Sequence, residues 1–84
     1  MMNTAIVEAT YAMTSVAAAI ENTDLSMNSK VAAVVSAAAA AALEYGGDEK
    51  ELITAAHRAV CANSSNLLKA VRRHIDTMAA SRAS

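Results

Sequence analysis

The stretch that decides the fold is residues 31–43, VAAVVSAAAAAAL, in which eight of thirteen positions are alanine. Alanine has the highest intrinsic helix propensity of the common residues. The whole chain of 84 residues contains 22 alanines, two glycines and no Pro, Phe or Trp. An all-β fold needs frequent turn residues and many β-branched or aromatic side chains, so these counts exclude it. The sequence predicts an all-α fold in a single domain, residues 1–84.

This alanine-rich stretch is too short to cross a membrane. It has 13 residues, whereas a transmembrane helix needs about 20. The first basic residue is Lys30, so the N-terminus lacks the basic region of a secretory signal. Cys61 is the only cysteine, which rules out an intrachain disulfide and is typical of a reducing compartment. We therefore predict a cytoplasmic protein with no membrane contact.

The pattern of caps and apolar spacings predicts an alanine-rich bundle of three helices, at about 4–21, 26–45 and 48–80, with antiparallel up-down packing. Gly46 is placed to end the second helix in the left-handed conformation. Asp48 and Glu51 have the spacing of a capping box at the start of the third. In the first helix, apolar residues recur at alternating spacings of three and four, as in a bundle seam: Ile6, Ala9, Met13, Val16 and Ile20.

The third helix contains one polar segment, Asn63-Ser64-Ser65-Asn66. Asn and Ser side chains compete with the helix backbone for hydrogen bonds, so a break near residues 63–66 into a fourth helix is one possibility. No Gly or Pro enforces the break, and this favours a continuous helix. A helix over 48–80 would be about 50 Å long and would overhang the first two. The overhang would expose an apolar stripe for a second copy or a partner helix: Leu67, Leu68, Val71, Ile75 and Met78.

The charges of the chain are separated along the sequence. Residues 1–57 carry seven acids and two lysines, whereas residues 58–84 carry five basic residues and one acid, so the net charges are −5 and +4. Lys69, Arg72 and Arg73 share a helical face by their spacing, and such a face can contact a polyanion. The chain as a whole is slightly acidic and poor in aromatic side chains, which disfavours nucleic-acid binding.

Few residues have the spacing of catalytic or metal-binding groups. His57 and Cys61 lie four residues apart and could supply two metal ligands, but zinc needs two more and no second cluster is present. The simpler interpretation is a buried thiol beside a partly exposed imidazole. His74 and Asp76 are two residues apart and do not face each other on a helix. We therefore predict no catalytic residue, metal, cofactor or small-molecule substrate.

One segment, residues 51–71 (ELITAAHRAVCANSSNLLKAV), resembles the alanine-rich helices of the talin rod and the related I/LWEQ actin-binding modules. The resemblance implies a scaffold that binds partner helices rather than an enzyme. Five positions match the pattern of those helices: Leu52, Ala55, Ala56, Leu67 and Ala70. Four depart from it: Ala59, Val60, Asn63 and Asn66.

Taken together, these features predict a small protein–protein interaction or assembly module that forms homodimers through alanine-lined helix faces. Two alternatives stay open. One is a regulatory protein that binds nucleic acid or an acidic partner through the basic C-terminal helix, and the other is a talin-like cytoskeletal scaffold segment.

Overall fold

A computed structural model describes residues 3–83 of the chain, and this part is built from α-helices without any strand. There are four helices in it: α1 (Thr4–Ile20), α2 (Met27–Glu44), α3 (Glu49–Ala62) and α4 (Asn66–Ala83). Within this range, no helix combines the length and the hydropathy that a membrane crossing requires. The all-α prediction is confirmed.

Side-chain caps explain where the first three helices begin. The Asn3 side chain accepts the backbone N–H of Ala5 at 2.9 Å. Ser26 accepts the N–H of Ser29 at 3.2 Å at the start of α2. The predicted capping box of α3 is present, because Asp48 accepts the N–H of Lys50 at 2.8 Å and Glu51 accepts the N–H of Asp48 at 3.0 Å. These contacts satisfy backbone donors that have no partner within a helix.

The predicted continuous third helix is wrong, and the alternative of a break near 63–66 is confirmed. Asn63 has an extended backbone, with φ −152° and ψ 102°, and it ends α3. Ser65 then caps α4, because its hydroxyl accepts the N–H of Leu68 at 3.1 Å. The break turns α4 back, so that it packs on α3 and α2.

Burial of apolar side chains explains why the break is favoured over the longer helix. Interrupting a helix costs a few hydrogen bonds, each worth about 1 kcal/mol net. Folding α4 back buries four large side chains, each worth about 1.5–3 kcal/mol. These four side chains are at most 3% exposed in the chain: Leu67, Leu68, Val71 and Ile75.

The core of the chain combines large side chains, most of them from α4, with alanines of the other three helices. α1 packs most extensively on α2 and α3. Alanine at these contacts lets two backbones approach closely. Leu67 and Leu68 are among the largest fully buried side chains, together with Met13 of α1 and Val34 of α2. The buried alanines are Ala5, Ala9, Ala17, Ala38, Ala42, Ala55, Ala56 and Ala59.

The turn between α2 and α3 depends on both glycines of the chain. Gly46 has φ +73°, the left-handed conformation that its position after α2 predicts. Gly47 lies so close to α1 that a Cβ atom there would be 2.6 Å from the Cβ of Ala5 and 3.0 Å from the carbonyl oxygen of Ala42. The turn therefore also fixes the distance between the start of α3 and the start of α1.

Candidate functional site

The surface of α2 that points away from the core carries no charged residue from Val31 to Leu43. Six exposed residues define this outer face of α2: Ser29, Ala32, Ala33, Ser36, Ala40 and Leu43. Positions 29, 33, 36, 40 and 43 alternate in spacings of four and three, the period of a helix–helix seam. An ordinary surface helix carries charged or strongly polar residues on its outer side. The face therefore has the composition of a contact surface.

The outer face of α2 ends at the most exposed large apolar side chain of the described region, Leu43, which is 72% exposed. Leu43 and Met78 of α4 line the same concavity of about 300 Å³, together with apolar side chains such as Leu52. Arg82 and Glu49 lie at the same concavity and form an ion pair at 3.4 Å. The outer face of α2 thus ends in an apolar concavity whose edge carries an ion pair, Arg82 with Glu49.

The five residues expected at a partner interface do not form one surface. Leu67, Leu68, Val71 and Ile75 are buried in the core of a single chain, whereas Met78 is 36% exposed. The expected apolar stripe depended on an overhanging helix, and the break after Asn63 removes that overhang. Of the five, Met78 is the residue that could still contact another chain without rearrangement.

The three residues expected to contact a polyanion are exposed and line one concavity of α4, with a volume of about 550 Å³. We call Lys69, Arg72 and Arg73 the basic face of α4. Asp76 lies at the same concavity, and its carboxylate is 3.6 Å from Nε of Arg72. One acidic group therefore adjoins the basic face.

A pair of side chains that the sequence did not indicate joins α3 to α4. Nε2 of His57 is 3.0 Å from Oδ1 of Asp76, and both side chains are partly exposed. The two residues are 19 positions apart, and the chain reversal at the break brings them together. The sequence also places His57 four residues from Cys61. The Cys61 thiol was expected to be buried, and it is exposed.

Within residues 3–83, no group of three or more His, Cys, Asp or Glu side chains converges in a way that could hold a metal ion. The pKa of Asp48 is shifted from its ordinary value. Its side-chain hydrogen bond with Glu51, followed by the N–H that Lys50 donates, lowers the pKa of the Asp48 carboxyl from its ordinary 3.8. This shift belongs to the capping box of α3 and is a matter of helix stability.

Comparison of the chain with protein-family models, with curated proteins and with solved structures finds no match. The segment 51–71, which resembles a talin-rod helix, is not a single helix here. It contains most of α3, the break, and the first turns of α4. The talin-like role stays a prediction.

Proposed function

We propose that this protein is a small homotypic assembly module in which a second copy packs against the outer face of α2. The observation that carries the proposal is the exposed, uncharged face between Lys30 and Glu44, which ends in the exposed Leu43. Covering such a face removes apolar surface from water at little cost, because no charge loses its hydration. The function requires no catalytic residue, metal or cofactor.

Small side chains determine how the two copies would approach. Alanine and serine along the seam allow two helix axes to come within about 8 Å, the short end of the usual range. In an antiparallel pair centred on Ser36, Leu43 of one copy lies over Ser29 of the other. The large side chain then covers a small one at each end, so the face is complementary to itself, as a two-fold interface requires.

Charge supports the antiparallel orientation over the parallel one. Lys30 and Glu44 lie at opposite ends of α2 and on the same flank of its outer face. In the antiparallel pair, Lys30 lies within about 3 Å along the axis of Glu44 of the partner subunit. Lys30 donates to the carbonyl oxygen of Glu21 at 2.6 Å, and an ammonium group has further donors for a second acceptor. In a parallel pair, Lys30 would lie at the same height as Lys30 of the partner subunit, on the opposite flank, and no opposite charges would face each other.

The proposal replaces the interface expected from the sequence with a different one. Leu67, Leu68, Val71 and Ile75 contribute to the core of each chain, and the proposed contact leaves them there. Met78 stays at the margin of the contact, at the concavity that Leu43 also lines. Self-association through an alanine-lined helix is thus retained, but the helix is α2 instead of α4.

Sedimentation equilibrium over a wide range of protein concentration tests the proposal. We expect wild-type protein to form dimers, and we expect its melting temperature to rise with concentration. Ala40→Glu places a charge in the seam and should give a folded monomer. Ala18→Glu makes the same change at an exposed position of α1 and should leave the dimer intact.

A charge exchange tests the orientation. Glu44→Lys alone should weaken the dimer, and adding Lys30→Glu should restore it, because the opposite charges again face each other across the pair. A monomer mass for wild-type protein at every concentration would refute self-association. Equal weakening by Ala18→Glu and Ala40→Glu would refute the choice of α2.

A further inference from the structure

We infer that the basic face of α4 binds a compact, phosphate-bearing ligand. The concavity at this face has a volume of about 550 Å³. Lys69, Arg72 and Arg73 supply three positive charges at it, and Val60 of α3 and Ala80 of α4 supply apolar surface. A cationic wall beside an apolar one fits a ligand with an anionic group and a smaller uncharged part.

The charges at this concavity are not balanced by neighbouring acids. Three ion pairs join described residues: His57 with Asp76, Arg72 with Asp76, and Arg82 with Glu49. Lys69 and Arg73 take part in none of these pairs. Three cations and the carboxylate of Asp76 leave a formal charge of 3 − 1 = +2 at a site within a chain whose net charge is −1. The excess of positive charge is therefore local.

Arg72 keeps most of its donors available although it is paired. Its contact with Asp76 is made by Nε at 3.6 Å, so the two terminal nitrogens of the guanidinium can still donate to another group. A guanidinium binds phosphate oxygens through two parallel N–H donors. Asp76 is held from the other side by His57, and its carboxylate repels an entering anion.

The dimensions of the basic face favour a compact ligand over a nucleic acid. Positions 69 and 73 are about 6 Å apart along the helix axis, which spans one or two phosphate groups. Sequence-independent binding of a single strand also uses aromatic side chains on which bases stack, and neither Tyr11 nor Tyr45 lines this concavity. A diphosphate or a phosphate monoester therefore fits the face better than an extended polyanion.

Isothermal titration of the full chain with inorganic pyrophosphate at constant ionic strength tests the inference. We expect saturable binding with one site per chain. Arg73→Ala should weaken it roughly tenfold or more, because a charge-assisted hydrogen bond is lost. Arg82→Ala removes the same charge at a different concavity, where Arg82 is paired with Glu49, and should leave the affinity unchanged.

Asp76→Asn gives a test with the opposite sign, since removal of the repelling carboxylate should tighten pyrophosphate binding severalfold. The substitution breaks only exposed ion pairs, and a thermal melt confirms that the variant folds. Absence of saturable binding up to millimolar pyrophosphate would overturn the inference, as would equal losses for Arg73→Ala and Arg82→Ala. Tight binding of a single-stranded oligonucleotide without binding of pyrophosphate would overturn it in favour of a nucleic-acid contact.

Discussion

Replacement of Gly47 by alanine should destabilise the protein because the turn before α3 has no room for a methyl group. The new Cβ would be 2.6 Å from the Cβ of Ala5, whereas carbon atoms in contact are about 3.5–4.0 Å apart. The Ala5 side chain is 1% exposed and has no rotamer that avoids the contact. About 1 Å of separation must therefore come from movement of the backbone.

The loss of stability caused by Gly47→Ala is the difference between two opposing effects. Overpacking of this kind costs about 1–3 kcal/mol, and the loss of glycine flexibility in the unfolded chain returns about 0.4–1 kcal/mol. A backbone shift also strains the hydrogen bond that the N–H of Gly47 donates to the carbonyl of Ala42 at 2.8 Å. We expect a net loss of about 1–2 kcal/mol, or about 4–16 °C in melting temperature for a domain of this size.

Urea denaturation followed by circular dichroism measures the effect, and Gly46→Ala is the matched control. Gly46 has φ +73°, and a Cβ atom added to it would meet no other atom within 4 Å. Its replacement therefore costs only the left-handed strain of about 1 kcal/mol. The decisive variant is Gly47→Ala combined with Ala5→Gly, which removes the clashing methyl group. The free energy of unfolding of this double variant should be about 1–2 kcal/mol higher than the value expected from adding the effects of the two single substitutions.

The reasoning is refuted if Gly47→Ala is as stable as wild-type protein. Additive effects of Gly47→Ala and Ala5→Gly would refute the clash as the cause, even if the single variant were unstable. Ala5→Gly combined with Gly46→Ala serves as the control for coupling, and these two changes should be additive within about 0.5 kcal/mol.

Three further predictions concern the ends of helices and the core. Ser65→Ala should lower the free energy of unfolding by about 1 kcal/mol in urea titrations, since the N–H of Leu68 loses its acceptor. Leu68→Ala should cost about 2–5 kcal/mol, whereas Leu25→Ala, at a side chain that is 53% exposed, should change stability by no more than about 0.5 kcal/mol. Because the folded-state pKa of Asp48 is lowered, its contribution to stability is full above the ordinary pKa of 3.8 and is lost as the pH falls through the folded-state value. Asp48→Asn keeps a capping side chain and should flatten this part of the stability–pH curve in acid titrations.

The ends of α1 and α2 can be predicted because local chemistry determines them. The capping contacts of Asn3, Ser26 and Gly46 lie within their own turns, and a side chain or a backbone angle there specifies the helix end. Asn3 also makes one tertiary contact, because its Nδ2 donates to Oε1 of Glu51 at 3.2 Å. The capping box of Asp48 and Glu51 is equally local. Such features can be deduced from a few neighbouring residues.

The end of α3 cannot be predicted in this way because the local preferences are nearly balanced. Asn63 and the serines that follow it disfavour a helix interior, but no residue there forbids one. The deciding contribution is the burial of Leu67 and Leu68 against distant helices, which no local pattern contains. The contact between His57 and Asp76 depends on the same reversal, so sequence spacing does not indicate it either.

The buried side of α1 is also only partly predictable. The apolar pattern places Ile6, Val16 and Ile20 in the seam with Ala9 and Met13, but the first three are only partly buried. The buried residues of α1 are Ala5, Ala9, Met13 and Ala17, and alanine lets neighbouring backbones approach closely. The three larger side chains lie beside this row, where the cylindrical surfaces of two helices diverge.

The two candidate surfaces can be recognised from the sequence to different degrees. Lys69, Arg72 and Arg73 are grouped by their spacing, and they line one concavity. The outer face of α2 alternates in spacings of four and three, at positions 29, 33, 36, 40 and 43. This spacing does not identify it as a surface, because alanine is compatible with both a core and a surface. Only the position of α2 relative to its neighbours shows which of its alanines are exposed.

The distribution of charge among the helices leaves the outer face of α2 without a charged residue between Lys30 and Glu44. Acidic and basic side chains keep α3 and α4 hydrated on their outer sides. α2 has charged residues only at Lys30 and Glu44, so water along its outer face meets methyl groups and two serines. An exposed seam of this kind promotes association, and one that is complementary to itself directs it toward a closed pair rather than toward open aggregates. The charged outer sides of α3 and α4 remain outside that contact, so the basic face of α4 can bind an anion.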